Sequence, residues 1–262
     1  MSTIETPALP AGDDLKLILP GKRVPFGAGA AWVGDGWRLF MKAPLMWVVS
    51  VLVLIVIAVI AGIVPILGNI AFQLLSPVFA AGFVVAARSV ERGGEFELEH
   101  LFAGFKTRFM PLFIVGAIFT VAAVVILLVC AAFMGFSVFT AMMAGDSEQA
   151  AAALAASLLT IAAGLLVMTA LLVPLTMLYW FAPALVMMHD VPPWEAMKAS
   201  FGACLRNFLP FLLYGLVMGA LSLLGIITFG LGFLVWVPLA ITSTYASYRQ
   251  IFTEGGEPAV SF

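Results

Sequence analysis

The sequence lacks the charge that a water-soluble domain carries over its surface. Charged residues make up 10% of the 262 residues, against roughly 25% in soluble proteins. In their place are nearly continuous apolar runs at 45–64, 67–88, 112–134, 151–179, 211–224 and 231–247. About 20 apolar residues in a helix cross the hydrocarbon of a bilayer. The runs do not alternate as the strands of a membrane barrel do, so they predict an all-α polytopic membrane bundle of six transmembrane helices.

Cysteine is also scarce, and no cleavable signal precedes the first apolar run. Cys130 and Cys204 are each interpreted as a small buried hydrophobic residue, and no disulfide between them is expected. A signal peptide would place a short apolar core near the N-terminus, where this chain is polar. Residues 1–28 are therefore predicted to form a mobile cytoplasmic tail.

Asp, Glu, Lys, Arg and His are missing from the central parts of all six runs. Because such a residue in a membrane normally marks a proton relay, an ion path or a substrate counter-ion, their absence argues against a proton-coupled transporter and an intramembrane metalloprotease. No nucleotide-binding, nucleophile-elbow or zinc-binding motif occurs. His189 follows two methionines, which are soft metal ligands, but no second cluster accompanies them. We predict a protein that is not an enzyme, with no catalytic residue, cofactor or metal site.

If the six predicted helices cross the membrane in alternating directions, all the basic residues lie on one side of it. All twelve lie in the N-terminal segment, after the second run, after the fourth run or at the C-terminal end: Lys16, Lys22, Arg23, Arg38, Lys42, Arg88, Arg92, Lys106, Arg108, Lys198, Arg206 and Arg249. The opposite side has two tight turns, near Pro65 and Gly230, and a loop with Asp146 and Glu148. Because Lys and Arg in short loops stay in the cytoplasm, both termini are predicted to be cytoplasmic.

One pattern recurs three times, namely a short amphipathic segment, a proline and a hairpin of two apolar runs. Pro44, Pro111 and Pro210 stand at the starts of the odd-numbered runs, where the first turn of a helix tolerates proline. The stretch 102–111 aligns without gaps with 201–210, which indicates an internal repeat. The predicted membrane domain is 29–252, in units 29–94, 95–190 and 191–252, and a cytoplasmic tail follows at 253–262.

The segment before each proline has helical periodicity with one apolar face, as at Leu98, Leu101 and Phe105. Such a helix lies in the membrane interface with its basic side chains towards the phosphates. A helix packed on the bundle's own end is the alternative. The candidate lipid head-group contacts are Arg38, Lys42, Lys106, Arg108, Lys198 and Arg206. The acidic run from Glu91 to Glu99 is interpreted as a solvated helix face.

The second pair of runs is longer than a membrane requires. Residues 109–145 would measure about 55 Å as one helix, against about 30 Å of hydrocarbon. The arm at 147–189 is longer still, and because the excess is apolar we expect it to bend into the outer interface. Prolines inside the even-numbered runs, such as Pro174, are expected to kink their helices. Gly215 and Gly219 are expected to permit close helix packing.

The N-terminal part resembles the opening of an uncharacterised family of proteobacterial inner-membrane proteins. The resemblance is carried by Leu19-Pro-Gly-Lys-Arg-Val-Pro-Phe-Gly-Ala-Gly-Ala-Ala-Trp32, Asp35-Gly-Trp-Arg-Leu-Phe40 and Ala43-Pro-Leu45. The plan of three hairpins is also similar to YciC-like proteins and to the membrane domain of some glycerophosphodiester phosphodiesterases. The resemblance implies a helical protein of the bacterial inner membrane. No phosphodiesterase activity is expected, because this chain carries no such catalytic domain.

Two function classes remain open at this point. The first is a non-enzymatic membrane scaffold or lipid-associated envelope protein, with membrane lipids as partners and other membrane proteins or a second copy as further candidates. The second is a channel or carrier for a neutral or apolar solute, in which Asn69, Gln73, Tyr179 and Tyr214 would meet in one cavity. Neither class involves nucleic acid.

Overall fold

The chain is helical in the part that the structure, a computed structural model, describes, which is residues 16–143 and 147–254. The helices are α1 (Ala28–Lys42), α2 (Pro44–Gly62), α3 (Leu67–Glu91), α4 (Ala103–Thr107), α5 (Phe109–Met142), α6 (Ser147–Tyr179), α7 (Ala182–His189), α8 (Pro193–Arg206), α9 (Phe208–Ile227) and α10 (Phe233–Phe252). A 3₁₀ helix, Leu98–Phe102, precedes α4, and Leu17 forms an isolated antiparallel bridge with Thr253. The predicted all-α architecture is confirmed.

Five helical stretches among the described residues are long and apolar enough to cross a membrane. They are Pro44–Gly62, Leu67–Glu91, Phe109–Met142, Ala151–His189 and Phe208–Ile227, and they match the first five predicted runs. The sixth run lies in α10, which has 20 residues, but hydroxyl groups, Arg249 and Gln250 lower the mean hydropathy of its second half. The membrane character of the bundle is confirmed, and six complete crossings stay a prediction.

Prolines begin helices where the sequence predicts. Pro44 occupies the first turn of α2, and Pro111 and Pro210 lie in the first turns of α5 and α9. The long arm after α5 continues as a helix through Pro174 and is interrupted just before α7, whose first turn holds Pro183. Because proline has no N–H to donate to the carbonyl four residues earlier, here that of Tyr179, Pro183 accounts for the position of this break.

Each short amphipathic helix packs against a helix pair other than the one that follows it. α1 packs on α9 and α10, the 3₁₀ helix and α4 pack on α3, and α8 packs on α6. Glycines allow these close approaches: a Cβ at Gly36 would lie 2.6 Å from the Ser243 nitrogen, and one at Gly82 would lie 2.3 Å from the Leu101 oxygen. The short helices therefore join the three pairs α2–α3, α5–α6 and α9–α10 into one bundle.

The packed core lies near the ends of the helices that carry the basic residues. We call the part built from α1, the 3₁₀ helix, α4, α7, α8 and the adjoining ends of α3 and α10 the packed base. Trp32, Phe181 and Tyr248 are among its largest fully buried side chains. Farther out, large apolar side chains are exposed, for example Phe133 and Phe136 of α5 at 62% and 69%. This is the distribution expected where lipid replaces water as the solvent.

Residues 16–24, which we call the N-terminal strap, lie along the packed base. The Ile18 backbone nitrogen donates to the Phe252 oxygen over 2.8 Å. Asn207 accepts a hydrogen bond from the Val24 nitrogen and donates one to the Lys22 oxygen, each over 2.9 Å. The described part of the predicted N-terminal tail is thus anchored to the bundle. The rest of that tail (1–15), the loop at 144–146 and residues 255–262 of the C-terminal tail lie outside the described residues.

Candidate functional site

An apolar cavity of about 530 Å³ lies between α3, the junction of α6 with α7, and α10. α2 and α5 contribute one lining residue each, Leu54 and Phe119, so all three helix pairs surround it. Its volume falls within the range of about 300–1,000 Å³ that is typical of ligand sites. The cavity is therefore the candidate functional site of this bundle.

Two helices line the cavity with one face each. The lining residues of α3 run from Phe72 to Val84 and those of α10 from Val237 to Tyr248, at the three- and four-residue steps that place side chains on one helix face. Aromatic rings dominate the surface, and they belong to Phe72, Phe79, Phe83, Phe119, Trp180 and Tyr245 among others. Such a lining offers a large apolar contact area and few hydrogen bonds, so it suits the hydrocarbon part of a ligand.

A small number of polar groups stand within this apolar lining. The Ser76 hydroxyl lies 3.1 Å from the Tyr179 hydroxyl, so these two groups satisfy each other. The indole nitrogen of Trp180 is buried and has no hydrogen-bond partner among the described residues. A buried donor without an acceptor costs about 1–3 kcal/mol, and this nitrogen is closed off from the cavity because it is fully buried.

A polar network closes the end of the cavity that faces the packed base. The Tyr245 hydroxyl donates to Glu91 Oε2 over 2.8 Å, and Glu91 also forms an ion pair with Arg249. The Tyr248 hydroxyl lies 2.6 Å from His189 Nε2. These contacts join the ends of α3, α7 and α10.

Positive charge is concentrated beside this network. Arg88, in the last turn of α3, is close enough to act electrostatically on both Tyr245 and Arg249, and Arg92 acts on Tyr245. We call Arg88, Arg92 and Arg249 the arginine cluster. The cluster lies beyond Tyr245, and none of its three arginines is among the lining residues of the cavity.

All six predicted head-group residues have partners within the chain. Four form ion pairs, Arg38 with Asp35, Lys106 with Glu99, Arg108 with Asp190 and Lys198 with Glu195. Two donate to backbone oxygens, Lys42 to Glu91 and Arg206 to Pro20. The Lys106 ammonium lowers the pKa of the Glu99 carboxyl below its usual 4.5. The Lys106 and Lys198 side chains remain 46% and 49% exposed; their contact with lipid head groups stays a prediction.

The structure brings one of the four residues expected for a carrier into the cavity. Tyr179 lines it, whereas Asn69, Gln73 and Tyr214 are absent from the lining that the described residues form. The Tyr214 hydroxyl lies instead 3.2 Å from the hydroxyl of Ser243. Three of the four residues therefore do not meet in this cavity, and a channel or carrier for a neutral or apolar solute stays a prediction.

The polar end of the cavity could not be recognised from the sequence. From the sequence, Glu91 was assigned to a solvated acidic run. This assignment is corrected, because the Glu91 side chain is 31% exposed and is bonded to Tyr245 and Arg249. His189, weighed as a metal ligand, bonds Tyr248. The available signal is that Arg88 and Glu91 continue the cavity-lining face of α3 at helical spacing. Their partners on α10 are about 150 residues away, a separation that no local pattern predicts.

Comparison with known proteins confirms the predicted membrane family. The family model "Protein of unknown function (DUF975)" matches residues 37–254. The chain is also similar to the "Probable inner membrane protein" of Burkholderia thailandensis, with 31% identity over 257 residues that cover 88% of this chain and 93% of the relative. No solved structure matches the chain. The similarity in layout to YciC-like proteins and to phosphodiesterase membrane domains stays a prediction. Because the family model covers most of its length, this chain belongs to the DUF975 family of membrane proteins.

Proposed function

We propose that this protein is a non-enzymatic, lipid-associated protein of the bacterial inner membrane that holds the apolar part of a lipid in its central cavity. The observation that carries the proposal is an apolar, aromatic cavity of about 530 Å³ that ends beside the arginine cluster. This cavity joins an aromatic, apolar lining to a charged network at one end.

The aromatic lining and the polar end of the cavity would bind different parts of an amphipathic ligand. Within a bilayer the acyl chain is already surrounded by hydrocarbon, so its binding would rest on van der Waals packing against the aromatic lining. The network of Tyr245, Glu91 and Arg249 lies at one end of the lining, and the polar end of the lipid would lie against it. The ligand would therefore bind in one orientation, with its polar end towards the packed base.

The same proposal gives the short amphipathic helices a role at the membrane surface. Their exposed basic side chains, such as Lys106 and Lys198, would contact lipid phosphates while their apolar faces pack on the bundle. We propose that the packed base and both termini face the cytoplasm, because the basic residues lie on that side in short loops. The three helix pairs would then insert from the cytoplasmic side.

Filling the cavity tests the lipid-binding part of the proposal. Ala80 of α3 and Ala240 of α10 both line the cavity, so Ala80→Phe and Ala240→Phe would occupy it. Ala170→Phe, on an exposed position of α6, is the matched control. After purification in mild detergent, we expect native mass spectrometry to detect several-fold less bound lipid on the two cavity variants than on the control. Equal lipid retention by all three proteins, each with an unchanged melting temperature, would refute lipid binding in the cavity.

Reporter fusions test the proposed orientation. A fusion at the C-terminus should give a cytoplasmic signal and a fusion at Gly145 a periplasmic one. A cytoplasmic signal at Gly145 would contradict the insertion of the middle pair from the cytoplasmic side.

A further inference from the structure

The three helix pairs differ greatly in length. α5 and α6 have 34 and 33 residues, or about 50 Å each at 1.5 Å per residue. α2 and α3 have 19 and 25 residues, and α9 and α10 have 20 each, or about 30–38 Å. Whether the shorter pairs reach as far out as the middle pair depends on where they contact it.

The first pair stops well short of the middle pair. Ser76 of α3 contacts Tyr179 of α6 at 3.1 Å. Beyond this point α3 runs outward to its start at Leu67, about 14 Å away, whereas α6 runs outward to Ser147, about 48 Å away. α5 contacts the same Tyr179 through Phe119, with ring centroids 4.8 Å apart. From there α5 continues outward to its last residue for about 34 Å.

The third pair also stops short. The rings of Phe211 in α9 and Trp180, at the end of α6, have centroids 5.8 Å apart. From this contact α9 continues to Ile227 for about 24 Å, while α6 extends to Ser147 for about 50 Å. The tip of the third pair therefore ends about 10 Å before the outer end of the middle pair when α5 is measured, and about 25 Å before it when α6 is measured.

The tips of the two shorter pairs are built from apolar residues. At the first tip Ile63, Ile66 and Leu67 are 72%, 73% and 70% exposed, and at the third tip Phe229 and Leu231 are 100% and 71% exposed. Neither turn contains a charged residue, whereas Asp146 lies in the connection between α5 and α6 and Glu148 at the start of α6. Water is a favourable environment for the connection of the middle pair but an unfavourable one for the two short tips.

The backbone of the third tip needs no water. The nitrogens of residues 228–231 and 233 all donate to oxygens within the same turn. The remaining one, that of Gly232, donates to the Thr228 hydroxyl over 2.8 Å, and this hydroxyl in turn donates to the Leu224 oxygen over 2.8 Å. In the first tip the nitrogens of Ile63, Leu67 and Gly68 are bonded in the same way. Backbone groups must be satisfied internally where only hydrocarbon surrounds them, and these turns come close to meeting that requirement.

The packed base sets the inner limit of the hydrocarbon close to Tyr179. α8 carries the exposed Glu195–Lys198 ion pair and is bonded to α6 by Ser200, whose hydroxyl donates to the Met177 oxygen over 2.6 Å. Charged side chains thus stand at the depth of the α6–α7 junction, a depth that belongs to the interface. The remaining outward length of α5, about 34 Å from Phe119, agrees with the roughly 30 Å of a hydrocarbon core.

We infer that only the middle pair crosses the membrane completely, and that the first and third pairs end inside the hydrocarbon as apolar wedges. The partner of the two tips is the acyl-chain interior of the bilayer. On this inference the middle pair is longer than the others because it alone spans the full thickness of the membrane. Its length then requires no bend into the outer interface. Because both wedges enter from the side of the packed base, they displace more lipid from that leaflet than from the other. The inference is independent of any ligand in the central cavity.

Spin labels at the three outer ends test this depth assignment. In a protein with Cys130→Ala and Cys204→Ala, single cysteines are introduced as Leu67→Cys, Leu231→Cys and Met143→Cys. Leu166→Cys, at an exposed position on α6, provides the hydrocarbon reference. The labelled proteins are reconstituted in vesicles of phosphatidylethanolamine and phosphatidylglycerol. The accessibility of each label to oxygen and to a water-soluble nickel chelate is then measured by power saturation.

We expect the labels at 67 and 231 to resemble the label at 166, with greater access to oxygen than to nickel. The label at 143 should show the opposite preference. If the labels at 67 and 231 were as accessible to nickel as the label at 143, the inference would be overturned and six complete crossings would be established. If the labels at all positions were more accessible to oxygen than to nickel, the inference would be overturned as well. Val64→Cys and Ile227→Cys replace any variant whose melting temperature falls. Lipid retention by the cavity variants is a separate readout, so failure of one proposal leaves the other standing.

Discussion

Replacement of Asn207 by alanine should release the N-terminal strap from the packed base. The Asn207 side chain is 1% exposed and makes three hydrogen bonds. It accepts from the Val24 nitrogen over 2.9 Å, and donates to the Lys22 oxygen over 2.9 Å and to the Ala203 oxygen over 3.0 Å. Two of the three therefore hold the strap, and a methyl group can replace none of them.

The expected effect follows from these bonds. Each hydrogen bond contributes about 1 kcal/mol net, and a buried backbone group left without a partner costs about 1–3 kcal/mol. The Ile18 and Lys22 nitrogens keep their bonds to the end of α10, so the strap is weakened rather than lost. We expect the free energy of local opening to fall by about 2–3 kcal/mol, which raises the open population by about 30- to 150-fold.

Trypsin cleavage after Arg23 measures this opening. When opening and closing are fast, the cleavage rate follows the open population, so Asn207→Ala should be cut about two orders of magnitude faster than the unchanged protein. Asn69→Ala, at an exposed position in α3, is the control and should be cut at the original rate. A cleavage rate for Asn207→Ala within twofold of the control would show that Asn207 does not hold the strap.

Three further predictions concern packing, burial and charge. Gly36→Leu should destabilise the protein by about 1–3 kcal/mol, because the added Cβ would meet the α10 backbone. Gly34→Leu has open space around its Cβ and should leave stability unchanged. Thermal melting in detergent compares the two variants. Burial raises the pKa of the Cys204 thiol to about 12, so maleimide should label it at pH 8 only after unfolding. Because the unfolded thiol ionises first, stability should fall as the pH rises above about 9. Glu91→Gln loses a partly buried ion pair and should cost about 1–2 kcal/mol, against at most about 0.5 kcal/mol for Glu254→Gln in an exposed pair.

The helices could be predicted from the sequence because their signals are local. Pro44 begins α2 as its position predicts, since proline fits the first turn of a helix. The periodic segment that ends at Arg206 is a helix, and the overlong middle runs are continuous helices of 34 and 33 residues. Pro174 lies inside the continuous helix α6, and the kink expected there stays a prediction. The arm breaks just before Pro183, which has no N–H to donate to the carbonyl of Tyr179, four residues earlier.

The close contacts of the glycines could not be predicted. Gly215 and Gly219 have the spacing of a packing motif, yet no atom lies within 4 Å of an added Cβ at either position. Gly29, Gly36 and Gly116 do lie against the backbones of neighbouring helices. A glycine in a sequence shows that close approach is permitted, but the partner helix decides whether it occurs.

The sequence alone determined that this is a helical membrane protein with its basic residues on one side, because apolar length, proline position and loop charge act within single segments. Only the tertiary structure decided that α1 packs on the third pair, that Glu91 pairs with Arg249, that the strap is held by Asn207, and that one cavity lies among all three pairs. Each of these depends on the fit of two surfaces far apart in the chain. In lipid there is no hydrophobic preference for one helix partner over another. The partners are therefore determined by shape complementarity and hydrogen bonding. Neither can be predicted from the sequence of a single helix.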